Sequence, residues 1–102
     1  MPVYKIQKRN GSIVDFNLEK IENAIGQAAK ATGKHDEIVA QVLAQDVYSR
    51  LEEEFSGKIP TVEEAQDIVE DMLIQYGYAE TAKAYILYRE KRREAREEKN
   101  VV

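Results

Sequence analysis

The chain has no cysteine and no tryptophan, one histidine and only two prolines in 102 residues. Without cysteine there is no disulfide, no thiolate-bound zinc or iron–sulfur centre and no thiol nucleophile. A single histidine, His35, excludes a multi-histidine metal site, so no metal held by protein ligands is expected. The apolar runs are a few residues long, far short of the ~20 needed to span a bilayer. Met1 is followed by Pro-Val-Tyr-Lys, which offers no apolar core of a secretory signal. These absences predict a cytoplasmic protein with no membrane association. A Gly-x-x-x-x-Gly-Lys-Ser/Thr phosphate loop is also lacking, and no carboxylate pair stands out for acid–base work. A catalytic role is therefore not expected.

What remains, 43% hydrophobic and 33% charged residues, is the composition of one folded domain with its own core. The net charge of −4 averages three unlike segments. Residues 1–34 carry six cations against three carboxylates, a net +3. Residues 35–80 carry two against twelve, a net −10, and residues 81–102 carry seven against four, a net +3. If the two basic ends meet in space, they form a cationic site on an acidic protein.

Local signals predict a β-hairpin followed by four helices. Residues 3–8 and 12–16 read as strands joined through Arg9-Asn10-Gly11, where Asn-Gly suits a tight two-residue turn at positive φ. The hairpin is expected to bury Ile6, Ile13 and Phe16 on the helices, because a lone hairpin is marginal in water. Asn17 caps a first helix, which runs to about Ala31 and ends at Gly33. Asp36 caps a second, with an apolar stripe of Ile38, Val39, Val42, Leu43, Val47, Leu51 and Phe55 backed by Tyr48. Ile59, between turn residues, is placed as a brief edge strand. Thr61 and Glu64 form a capping box opening a third helix, which carries Val62, Ala65, Ile68, Val69, Met72, Leu73 and Tyr76 inward and ends at Gly77. The fourth begins near Ala79 and turns Ala82, Tyr85, Ile86 and Tyr88 inward. From Arg89 the pattern is wholly polar, a solvated extension laced with four-residue charge pairs. The fold class is α+β, a four-helix bundle capped by an N-terminal hairpin or small three-stranded mixed sheet. Residues 1–93 form the domain and residues 94–102 a charged helix extension or tail.

The segment from Ile6 to Ile21 carries the chemistry. Lys8 and Arg9 sit at a strand end beside the turn, and Lys20 falls in the first turn of the next helix, whose free N–H groups attract anions. Three cations on one hairpin-plus-helix unit suit a polyphosphate, although an ordinary polar hairpin with a solvated lysine gives the same pattern. His35 reads as a solvated loop residue. Tyr76, Tyr78, Tyr85 and Tyr88 read first as packing residues with wet hydroxyls, and Glu52-Glu53-Glu54 as a solvated helix end.

The run Lys8-Arg9-Asn10-Gly11, then Phe16-Asn17, Lys20-Ile21 and Ala24-Ile25, resembles the start of the ATP-cone domain. That is the regulatory nucleotide-binding module of ribonucleotide reductases, also found in a transcriptional repressor of their genes. Ile59-Pro-Thr-Val-Glu-Glu-Ala-Gln-Asp-Ile-Val-Glu70 is similar to its third-helix signature and Ala84-Tyr-Ile-Leu-Tyr-Arg89 to its closing helix, so the resemblance covers residues 3–93. It implies a four-helix bundle under a three-stranded mixed sheet. It implies a non-catalytic module that binds ATP or dATP with magnesium and controls reductase activity allosterically through its oligomeric state. Its partners would be the catalytic or radical-generating subunit of a reductase and further copies of itself. By position, Lys8 and Arg9 match the nucleotide-contacting pair on the hairpin, Lys20 the helix lysine on the phosphates and Asn17 a polar contact. Thr61 matches a contact at the start of the third helix. Lys91 matches a phosphate-binding lysine of the last helix, with Arg89 and Arg92 competing for that role. Two departures concern the base. Some members carry an acidic residue at Val14 and a histidine on the third helix, where this chain has Ala65-Gln66. Gln66 offers an amide that both donates and accepts.

Two other readings stay open. A nucleic-acid-binding or transcription-regulating module would have to use the basic tail, whose interleaved glutamates cancel most of its field. A nucleotide hydrolase would need a water-activating constellation that the sequence does not display.

Overall fold

The computed structural model describes residues 3–100, with 94–100 as helix backbone only. Of the solvated, charge-paired extension expected from Arg89 onward, residues 94–102 lie outside the described side chains; Arg89 itself is not solvated but turns to Asp67 and Glu70 of the third helix, and Arg93 pairs with Glu90 at three-residue spacing. Strands β1 (Lys5–Gln7) and β2 (Ile13–Asp15) precede four helices, α1 (Leu18–Ala31), α2 (Glu37–Glu54), α3 (Val62–Gln75) and α4 (Ala79–Asn100). Each helix packs on the next and α4 closes back on α1, so the four form a ring around one core.

The helix ends follow the side chains that satisfy their free backbone groups. Asn17 accepts from Glu19 N at 3.0 Å. Asp36 accepts from Ile38 N and Val39 N at 2.9 and 3.2 Å. At Thr61 the capping box is complete, with Glu64 N donating to its hydroxyl at 3.1 Å and its own N donating to Glu64 Oε1 at 2.9 Å. The C-termini of α1 and α3 share one device. Gly33 and Gly77 turn at φ +72° and +84°. Lys34 N then donates to Ala29 O at 2.9 Å and Tyr78 N to Leu73 O at 2.8 Å, which satisfies carbonyls the helix leaves open.

The hairpin is antiparallel, with Ile6 opposite Val14. Its turn differs from the expected two-residue type. Lys8 N donates to Ser12 O at 2.8 Å, which leaves the three residues Arg9, Asn10 and Gly11 in the loop. Only Gly11 adopts positive φ, at +87°. A two-residue type I′ turn needs positive φ at both central positions. Asn10 instead uses its side chain, whose Oδ1 accepts from Ser12 N at 3.0 Å.

A third strand at Ile59 does not form. Gln7 N donates to Pro60 O at 2.9 Å, and a single parallel bridge joins Gln7 to Thr61. Pro60 has no N–H to extend that ladder, and the Thr61 N–H is already committed to Glu64. Among the described residues the sheet is two-stranded. Nor does the hairpin bury Ile13, which is 54% exposed, because it shares the outward face with Lys5 and Asp15. Ile6 and Phe16 do pack on the core. The strand is anchored by Tyr48 of α2, whose hydroxyl donates to Val3 O and accepts from Val3 N, both at 3.1 Å. The Tyr48 ring also meets that of Phe16 at 5.4 Å.

On α2 the buried face is Ala40, Leu43, Ala44, Val47 and Leu51, a three- and four-residue spacing. Ile38 and Val42, placed inward from sequence, are 72% and 54% exposed. At 100° per residue they lie across the helix from Val47 and Leu51, and the two alanines take their place in the core. Tyr76 and Ile86 are likewise exposed, Tyr76 bonding through its hydroxyl to Asp46 at 2.5 Å.

Leu51→Ala, which opens a cavity at a fully buried site, is expected to lower stability by about 2–5 kcal/mol. Ile38→Ala should stay within about 0.5 kcal/mol. Urea titration of both variants checks which face of α2 is core. Thr61→Ala should cost about 1 kcal/mol through the lost cap, read from the same titration.

Candidate functional site

The hairpin lies over the bundle so that β1, β2, the start of α1, the first half of α3 and the middle of α4 enclose a cleft of about 360 Å³. Its lining includes apolar side chains, Ile6, Phe16, Ile21, Ala24, Ala65 and Val69, with Tyr85 from α4. It also carries cations. Lys8 and Arg9 come from the hairpin, Lys20 from the first turn of α1, and Arg89, Arg92 and Arg93 from α4. Asn17, Asn23 and Gln66 add neutral polar groups, and Asp15 is the one carboxylate among the described lining residues. Asp15 is bonded to Lys5, which holds its carboxyl below the usual range.

The six cations are not equivalent. Arg9 Nε lies 2.8 Å from Glu63 Oε1 at the start of α3. Arg89 is 18% exposed and reaches Glu70 at 2.5 Å and Asp67 at 3.0 Å. Burial pulls its guanidinium pKa down, but the hydrogen bonds to Glu70 and Asp67 outweigh burial and the net shift is upward. Arg93 pairs with Glu90 at 2.7 Å. Its Nε is buried with no hydrogen-bond partner among the described residues. Lys8, Lys20 and Arg92 line the cleft with no ion pair among the described residues. Burial pushes the Tyr85 phenol far above its ordinary range, partly offset by Arg89, so it stays neutral and can donate.

The chemistry of this lining suits an anion with an apolar or aromatic portion. Uncommitted ammonium and guanidinium groups and the orphaned N–H of Arg93 answer negative charge, while the apolar side chains and Tyr85 offer a surface for a ring. Among the described residues no group of three or more His, Asp or Glu side chains is placed to hold a metal ion.

Five of the seven residues singled out from sequence, Lys8, Arg9, Asn17, Lys20 and Gln66, come together here. The other two do not line the cleft. The Thr61 side chain is engaged as the cap of α3, and Lys91 is exposed on α4. The α4 cations that do reach the cleft are Arg89, Arg92 and Arg93, at three- and four-residue spacing on one face. Lys91 stands two residues, about 200°, from Arg89. Arg93 and Asn23 are not singled out from sequence; the same periodicity is the signal that finds Arg93, and Asn23 follows Lys20 by three residues in the same way. Of Tyr76, Tyr78, Tyr85 and Tyr88, the last two line the cleft, their rings 6.5 Å apart.

Residues 4–94 match the ATP cone domain. The chain is 39% identical over 98% of its length to the vitamin B12-dependent ribonucleoside-diphosphate reductase of Thermoplasma acidophilum, of which it covers 13%. It is 37% identical over 98% of its length to the anaerobic ribonucleoside-triphosphate reductase of Haemophilus influenzae, covering 14% of that protein. With the ribonucleoside-diphosphate reductase subunit alpha of Chlamydia pneumoniae it shares 34% identity, over 91% of this chain and 10% of that one. The chain thus spans about one-eighth of the first two relatives, and it belongs to the ATP cone family.

Proposed function

We propose that this domain is a non-catalytic regulatory module that binds ATP or dATP with magnesium in the cleft and controls a ribonucleotide reductase allosterically, through nucleotide-dependent oligomerisation. The observation that carries the proposal is the cleft itself, where Lys8, Lys20 and Arg92 stand without ion pairs among the described residues in a lining that also holds apolar side chains. In this reading Lys8, Arg9, Lys20 and Arg92 take the phosphates. Asn17, Gln66 and Tyr85 lie along the same lining and serve the sugar and base. The magnesium neutralises part of the phosphate charge and needs no cage of protein carboxylates. The catalytic or radical-generating subunit of a reductase is the proposed partner, because proteins named as ribonucleoside-diphosphate and ribonucleoside-triphosphate reductases each carry a segment similar to this chain. Nucleotide shifts assembly only by favouring one packing over another, and its coupling to assembly is reciprocal. Telling dATP from ATP turns on one 2′-hydroxyl, a matter of about 1 kcal/mol for a hydrogen bond made or left unmade.

Lys8→Ala combined with Lys20→Ala removes two cations from the hairpin and α1 walls. Calorimetric titration with ATP should show affinity reduced by about a hundredfold or more, since hydrogen bonds to charged groups contribute about 1.5–3 kcal/mol each. Helical circular dichroism should be unchanged, because both side chains are exposed. Undiminished affinity would remove the assignment. Light scattering of the wild-type domain with its reductase partner should report a different assembly mass in ATP and in dATP, and equal masses would count against oligomerisation as the mechanism.

A further inference from the structure

Arg9 reaches the cleft already holding a carboxylate from another element. The pair with Glu63 ties the hairpin turn to the first turn of α3, and both side chains are about half exposed, at 40% and 52%. Solvent and salt weaken such a pair. The Arg89 cluster differs, being partly desolvated and shared between two carboxylates, which makes it a structural tie between α4 and α3. A polyphosphate brought to Lys8 and Lys20 places several negative charges near Arg9, and therefore near Glu63. Arg9 Nε is engaged by Glu63, and the two anions repel each other across it. The phosphates carry more charge and several acceptor oxygens, so they win the guanidinium.

We infer that Glu63 is a built-in counter-anion of the cleft, which a nucleoside polyphosphate displaces from Arg9 on binding; the inference rests on the nucleotide-binding reading above. Two consequences follow from the exchange. Glu63 lowers the affinity for the nucleotide, since its ion pair is broken on binding. It also makes occupancy detectable at the junction of hairpin and α3, where a tie within the protein is replaced by a contact to the ligand. Glu63 thus sets the negative charge a ligand must bring to occupy the site fully.

The test is calorimetric titration of magnesium-ATP into the wild-type chain, Glu63→Gln, Arg9→Ala and the double variant, with Glu63→Ala as a second removal of the charge. Glu63→Gln and Glu63→Ala should bind ATP about two- to fivefold more tightly than wild type, the range expected for a surface ion pair. Arg9→Ala should bind more weakly. In the Arg9→Ala background the gain from Glu63→Gln should vanish, because no ion pair remains to be broken. A gain of equal size in that background would mean that Glu63 acts only by repulsion at a distance, and would overturn the inference. So would unchanged or weaker binding by both Glu63 variants while the wild type binds. Failure of the wild type to bind ATP at all would overturn the nucleotide reading itself, a result distinct from either.

Discussion

Holding six cationic side chains around one cleft, in a chain whose net charge is −4, is the constraint on which the arrangement of this domain turns. Like charges at such proximity repel, and the cost falls on the packing of every element that carries one. The acidic middle of the chain relieves it. Glu63, Asp67 and Glu70 stand at four- and three-residue spacing on one face of α3, the face turned to the hairpin on one side and α4 on the other. They take Arg9 and Arg89, while Glu90 takes Arg93. Three cations are left without such relief among the described residues, and these are the ones positioned to meet an external anion. Paired and unpaired charge thus grade the cations of the cleft, and Arg9, paired with a half-exposed carboxylate, stands between the two extremes.

The hairpin can serve as one wall only because it is fastened elsewhere. Three-residue strands cannot stand alone. Their attachment is made by the Tyr48 hydroxyl on the Val3 backbone, the Phe16–Tyr48 ring contact and the bond from Gln7 N to Pro60 O. The last of these leads straight into the capped start of α3. Lys8 and Arg9 are therefore positioned through α2 and α3 as much as by their own strand. Thr61 belongs to this account as the residue that fixes where α3 begins, and so where Glu63 and Gln66 stand.

Much of this was legible in the sequence, for reasons that differ by element. The helix ends were read closely because caps are chemical and local: Asn17, Asp36 and the Thr61–Glu64 box each name their own partners within three residues. The inward face of α2 was not, since Ile38 and Val42 outweigh Ala40 and Ala44 on any scale of hydrophobicity. The alanines are buried because of what the neighbouring helices bring against them, which periodicity within α2 alone does not reveal. The turn at Arg9–Gly11 is one residue longer than Asn-Gly predicts, because Asn10 supplies its side chain as an acceptor instead of entering positive φ. The third strand failed for lack of one N–H at Pro60. Of the cleft, the hairpin and α1 members could be read from one segment. The α4 members needed the helical phase, which excludes Lys91 and admits Arg93.

The remaining step concerns why such a site is built from charges that oppose one another. A cleft lined only by free cations would hold any polyanion tightly and would be the least stable part of the domain when empty. A cleft whose cations were all paired would be stable and would hold nothing. Here the pairing is graded, from the partly buried Arg89 cluster, through the half-exposed Arg9–Glu63 pair, to Lys8, Lys20 and Arg92. A ligand that binds the folded state alone stabilises it by mass action, by about 2.7 kcal/mol at a hundred times its dissociation constant. That gain is largest where the empty site is most strained by like charge. The same grading that keeps the empty domain folded thus leaves a free-energy difference between empty and filled states, and a regulatory domain needs such a difference to bias its partner. Where the difference is lodged follows from which ion pair of the cleft's own cations bridges two elements with both partners open to solvent, and that is the contact between Arg9 of the hairpin and Glu63 of α3.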